Sequence, residues 1–84
     1  MNLNQLTVFH EVMTTGSISQ AARNLGRTQP AVSLALKGLE ETLGFQLFER
    51  QGRALVLVPE AQYLLTEARD ILSHVSDVSR TLQN

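Results

Sequence analysis

The sequence predicts a mainly α-helical domain of three short helices, a short β-hairpin and one long final helix. Three observations predict it. Apolar residues recur at spacings of three and four along most of the 84 residues. Gly16, Gly26 and Gly44 each follow such a run, where helices commonly end. The helical period breaks once, around Gly52, into two short β-type runs.

The first helix is predicted from Asn2, an N-cap with Gln5 three residues on as its reciprocal partner. Leu3, Leu6, Phe9 and Val12 or Met13 form its buried stripe, and Gly16 ends it. Ser17 with Gln20 is a second capping box, opening a short helix whose Ile18, Ala21, Ala22 and Leu25 share a face up to Gly26. Thr28 caps the third helix, with Pro30 in its first turn, where a missing N–H costs nothing. Val32, Leu36, Leu39 and Leu43 point inward, and Gly44 terminates it. Phe45, Leu47 and Phe48 form the first β-type run, Glu49 to Arg53 a polar turn, and Ala54 to Val58 the second run. Phe9, Phe45 and Phe48 read as core. From Pro59 onward, Ala61, Leu64, Ala68, Ile71, Val75, Val78 and Leu82 hold a seven-residue repeat. A helix over 59–82 is about 36 Å long, too long for so small a domain to cover alone. Leu65 and Leu72 widen its apolar face beyond a narrow seam, so its N-terminal half is expected to cover its own domain and its C-terminal half to meet a partner.

Composition removes several function classes. There is no cysteine, and His10 and His74 lie too far apart for a local metal-ligand pair. No apolar run approaches the roughly 18–20 residues of a membrane span, and no charged-then-apolar leader is predicted. With no glycine-rich phosphate loop and no spaced Ser, His and Asp, neither an enzyme nor a cofactor or metal is expected. A cytoplasmic location is. The net charge of −1 argues by itself against nucleic acid. Its distribution argues otherwise. Arg23, Arg27, Lys37, Arg50 and Arg53 outnumber Glu40, Glu41 and Glu49 in the middle of the chain, whereas the stretch after Arg53 is acidic.

Helix, tight turn, helix and hairpin is the order of a winged helix-turn-helix. Ala22 is small where the second helix presses on the third, Gly26 suits the sharp turn, and Val32 fills the wedge between them. With the third helix's stripe inward, its opposite face displays Pro30, Ser33, Leu34, Lys37 and Glu41, with Gln29 at the tip. A recognition helix reads bases mostly with its N-terminal residues. Gln29 suits adenine, Ser33 a base edge or phosphate, and Lys37 guanine or phosphate. Free N–H groups at the Thr28 end suit a phosphate. Leu34 can pack against a thymine methyl or simply be an exposed leucine. Arg53 at the hairpin tip can reach a minor groove. Arg50 can meet the adjoining backbone, or pair with Glu49 or Glu40 in a structural role.

These residues, over essentially the whole chain, resemble the N-terminal DNA-binding domain and linker helix of LysR-type transcriptional regulators. The resemblance is carried by Leu3, Leu6 and Phe9, by Gly16-Ser17, and by Ala21-Ala22 with Leu25. It continues through Gln29-Pro30-Ala31-Val32-Ser33, Leu39-Glu40, Leu43-Gly44, Leu47-Phe48-Glu49-Arg50, Arg53, Leu57 and Pro59. It implies a bacterial regulator in which residues 1–58 bind double-stranded DNA and residues 59–84 form a linker and dimerisation helix. The homodimer would dock through Leu64, Ala68, Ile71, Val75 and Val78 onto a dyad-symmetric operator. The family also implies a larger C-terminal domain that binds a small-molecule co-inducer, so a fragment ending after the linker helix is expected. The sequence departs from the family pattern at five places. Leu34 stands where Arg or another polar residue is common, Ala35 where Gln is, and Gly38 where a base is. Val58 replaces a capping Thr, and Ala61 a Gly. The competing expectation is a winged-helix module that assembles proteins through its apolar long helix without binding DNA. The overall acidity and the missing base at Gly38 favour it.

Overall fold

The computed structural model describes residues 1–84 as four helices and a two-stranded hairpin. The first helix, α1 (Leu3–Thr15), starts on the expected reciprocal cap. The Gln5 N–H donates to Asn2 Oδ1 at 2.8 Å and the Asn2 N–H to Gln5 Oε1 at 3.1 Å. Its buried face is Leu6, Val8, Phe9 and Val12, wider than a single stripe because three other helices pack on α1. Leu3, expected inside, is exposed in the first turn beyond their reach, and Val8 is enclosed instead.

Helix α2 (Ile18–Leu25) forms only half of its expected capping box. The Gln20 N–H donates to Ser17 Oγ, but the Gln20 side chain turns outward to Asn24 and Arg23. The Ser17 N–H donates instead to Thr15 Oγ1, so the closing turn of α1 supplies the partner that Gln20 does not. Gly26 takes the left-handed conformation (φ 66°) that turns the chain sharply into the next helix. Ala22 is buried where α2 and α3 (Gln29–Leu43) meet, with Val32 fully enclosed between them. Val32, Leu36 and Leu39 are buried as expected, and Leu43 packs at the edge of the core.

After α3 the chain buries Leu47 rather than Phe45, which stays at the surface. Two hydrogen bonds hold Leu47 in place: its N–H donates to Glu40 Oε2 at 2.8 Å, and its carbonyl accepts from the Val58 N–H at 3.1 Å. Phe48 is half-buried and begins β1 (Phe48–Gln51), which pairs antiparallel with β2 (Ala54–Leu57) from Phe48↔Leu57 to Gln51↔Ala54. The polar residues expected in a five-residue turn are therefore mostly strand, and the turn is only Gly52-Arg53. Gly52 has φ 63° and no non-glycine residue has positive φ, the requirement of a two-residue turn with glycine first. That tight turn lets the ladder run to its last possible pair.

Helix α4 (Pro59–Gln83) has no side-chain cap, because the Val58 side chain carries no oxygen. Ala61, Leu64 and Ala68 are buried against the chain's own core, chiefly α1. Leu64 and Ala68, named among the dimer contacts, thus fall in the half of the helix expected to cover its own domain. Beyond Ala68 nothing on α4 is buried: Ile71, Val75 and Val78 are 38%, 40% and 45% exposed. The 25-residue helix gives the molecule its 46 Å long dimension. No helix is long and apolar enough to cross a membrane.

Candidate nucleic-acid interface

The core stripe of α3 dictates what its other face can do. With Val32, Leu36 and Leu39 locked inward, Gln29, Pro30, Ser33, Leu34 and Lys37 are all exposed. Thr28 Oγ1 accepts from the Ala31 N–H at 3.3 Å, Val32 N–H donates to the Thr28 carbonyl, and Pro30 has no N–H. The free amides expected at this end are therefore those of Thr28 and Gln29, and the positive end of the helix dipole lies there.

The hairpin register places the basic residues. Phe48 and Arg50 pair with Leu57 and Leu55, so these four side chains share one face of the hairpin. Phe48, Leu55 and Leu57 are half-buried against the helices. Arg50, opposite Leu55 and nearer the tip than Phe48, is exposed. Arg53 follows Gly52 in the turn itself. An open cleft of about 390 Å³ results, lined by Gly16, Ser17 and Ser19 at the start of α2, Gln29 and Ser33 on α3, and Arg50 and Arg53 on the hairpin. Residues from three separate parts of the chain thus converge on one polar surface.

Four of the expected residues, Gln29, Ser33, Arg50 and Arg53, line this cleft. Thr28, Pro30, Leu34 and Lys37 do not; the last three occupy the adjoining outer face of α3. Ser17 and Ser19 were not expected there. Ser17 reads from sequence as a helix cap, and only the fold reveals that the start of α2 opens beside the hairpin tip.

The cations on this surface have no carboxylate partner. The molecule's one ion pair, Arg80–Asp77 at 2.5 Å, is exposed near the end of α4. Glu40, a possible partner for Arg50, is committed to the Leu47 N–H instead. Arg23 donates to Gln20 and Arg27 to Asn4, which leaves Lys37, Arg50 and Arg53 without a side-chain partner. Gly38 does not belong to this face. A Cβ there would stand 3.0 Å from Gln5 Nε2, so the glycine accommodates the side chain that completes the α1 cap. At the far end of the molecule, Val78 and Leu82 line a shallow hollow of about 300 Å³ with His74, Asp77 and Thr81, continuing the apolar line from Ile71 and Val75.

Comparison with known proteins bears on the family and the fold. The family model described as bacterial regulatory helix-turn-helix protein, lysR family, matches residues 3–62. The transcriptional regulator CbbR of Rhodospirillum rubrum is 43% identical over 81 residues, covering 96% of this chain and 27% of its own length. DgcR of a Pseudoalteromonas species is 40% identical over 84 residues, the whole of this chain and 29% of that regulator. The chain therefore spans a little over a quarter of these relatives. Among solved structures, the BenM DBD–benA site 1 DNA complex superposes with a TM-score of 0.91 at 34% identity, covering 99% of this chain and 93% of that one. CbnR, described as a LysR family transcriptional regulator, gives 0.90 at 30% identity, covering 99% of this chain and 29% of that one.

Proposed function

The chain belongs to the lysR family of bacterial regulatory helix-turn-helix proteins, and from that membership we propose that it binds specific double-stranded DNA sites as a dimeric transcriptional regulator. Residues 1–58 would read the DNA and residues 59–84 would form the linker helix, whose first turns close the core. The observation that carries this reading is the cleft where Gln29 and Ser33 meet the unpaired Arg50 and Arg53. In that pose the N-terminal turns of α3 enter the major groove, where Gln29, Ser33 and Lys37 meet base edges or phosphates. Arg53, at the hairpin tip, reaches toward the flanking minor groove, and Arg50 and Thr28 meet backbone phosphates.

Dimerisation would use Ile71, Val75 and Val78, a line of apolar side chains that the chain itself leaves open. A two-fold pair of recognition helices calls for two half-sites about 34–36 Å apart, or a multiple of that distance. The test is selection of bound duplexes from a random pool at near-physiological salt, followed by sequencing. An enriched site with dyad symmetry is expected. An enriched single half-site would retain DNA reading and remove the dimer. No enrichment by folded protein would overturn the proposal in favour of a protein-assembly module.

A further inference from the structure

Leu34 is the one large apolar side chain of α3 left in solvent, at 71% exposure. At about 100° per residue it points within about 20° of the direction opposite the buried Val32, Leu36 and Leu39 stripe. Pro30 lies one turn before it, Lys37 one turn after it and Ser33 beside it on the cleft side, all exposed. On a helix that meets DNA by this face, Leu34 flanks Ser33 and Lys37 on the side away from the cleft and comes within reach of a base edge beside theirs. It carries neither donor nor acceptor there.

That chemistry restricts what it can read. In the major groove guanine offers acceptors, cytosine a donor, and adenine one of each, whereas thymine adds an apolar C5-methyl group. Leucine packed over any of the first three removes water from a polar group and returns no hydrogen bond. Over thymine it buries a methyl against a methyl. Resting on the DNA-reading function proposed above, we propose that Leu34 is a specificity-determining residue that reads the C5-methyl of a thymine in each half-site. Recognition at that position then depends on the methyl itself, so 5-methylcytosine is accepted better than cytosine.

The experiment starts from the duplex enriched by selection. Each symmetry-related pair of thymines is replaced by deoxyuridine, which removes only the methyl, and affinity is measured for the wild-type chain and for Leu34→Ala. Burial of one methyl corresponds to about fourfold in affinity, hence about 15-fold for a pair of half-sites. One thymine pair should show that loss with the wild type and less than about twofold with Leu34→Ala. Cytosine at the same pair should bind poorly, and methylating its C5 should restore part of the loss. Because Leu34 is exposed and alanine favours helix, the variant should fold as the wild type does, with circular dichroism as the check. An enriched site insensitive to deoxyuridine at every thymine, or lacking thymine, overturns this inference and leaves DNA reading intact. A full deoxyuridine loss that persists in Leu34→Ala overturns the assignment to Leu34. No enriched site at all overturns the DNA-reading function and this inference with it.

Discussion

Replacing Arg53 with alanine should flatten the salt dependence of DNA binding by an amount that the structure sets in advance. Lys37, Arg50 and Arg53 are the cations of the proposed interface that have no side-chain partner, so a dimer presents twice that set. If each neutralises one phosphate, about six counterions are released and log K falls with log salt at a slope of about −5.4. Between 50 and 200 mM salt that slope is a loss of about 2,000-fold in affinity. Arg53→Ala in both protomers leaves about four contacts, a slope of about −3.6, and a loss of about 150-fold over the same range.

The assay is fluorescence anisotropy of a labelled duplex across that salt range, with the wild type, Arg53→Ala and Arg53→Lys in parallel. Arg53→Lys keeps the charge and should keep the slope, whatever it does to minor-groove fit. Arg53 sits in an exposed two-residue turn, so neither change should disturb the fold. Parallel lines for wild type and Arg53→Ala would refute the reasoning, because a guanidinium that releases no counterion is not at the phosphate surface. A wild-type slope of about −2.7 would mean that one protomer binds alone.

Ile71→Asp with Val75→Asp should give folded monomers by analytical ultracentrifugation; a surviving dimer would place the interface elsewhere. Leu64→Asp should instead unfold the chain, since it puts a charge into the protomer's own core. Leu39→Ala, at a fully buried position, should cost about 2–5 kcal/mol and lower Tm by at least about 8 °C at fixed protein concentration. Gly38→Ala should gain less than the full helix-propensity difference of about 1 kcal/mol, because its methyl crowds Gln5. In a Gln5→Ala background the gain should be larger by chemical denaturation, and equal gains would mean that the close approach has no energetic consequence.

What could be read from the sequence was what neighbours along the chain decide. Asn2 with Gln5, Thr28 with Ala31, and the left-handed glycines at 16, 26 and 44 are contacts within a turn or two, and they fix where the helices begin and end. The face of α3 opposite its buried stripe follows from periodicity in the same way, so its exposed residues could be named before their surroundings were known. The half-formed box at Ser17 shows the limit: its pattern is complete, but Gln20 has better partners in Arg23 and Asn24, the latter held by Glu11 of α1. The place of Ser17 and Ser19 in the cleft was equally hidden, since it depends on the hairpin tip arriving from some thirty residues away.

The long helix marks the same limit from the other side. Its heptad pattern is uniform from Ala61 to Leu82, and periodicity alone cannot say which stretch meets its own chain and which is left over. The depth of the core decides. The rest of the domain extends only far enough along α4 to cover Ala61, Leu64 and Ala68, and the same stripe then runs on exposed through Ile71, Val75 and Val78. One repeated pattern is therefore buried over its first part and exposed over the rest, with the change falling between Ala68 and Ile71. Substitutions before that point should act on folding at any protein concentration. Those after it should act on stability only through association, so their effect on Tm should shrink as the protein is diluted.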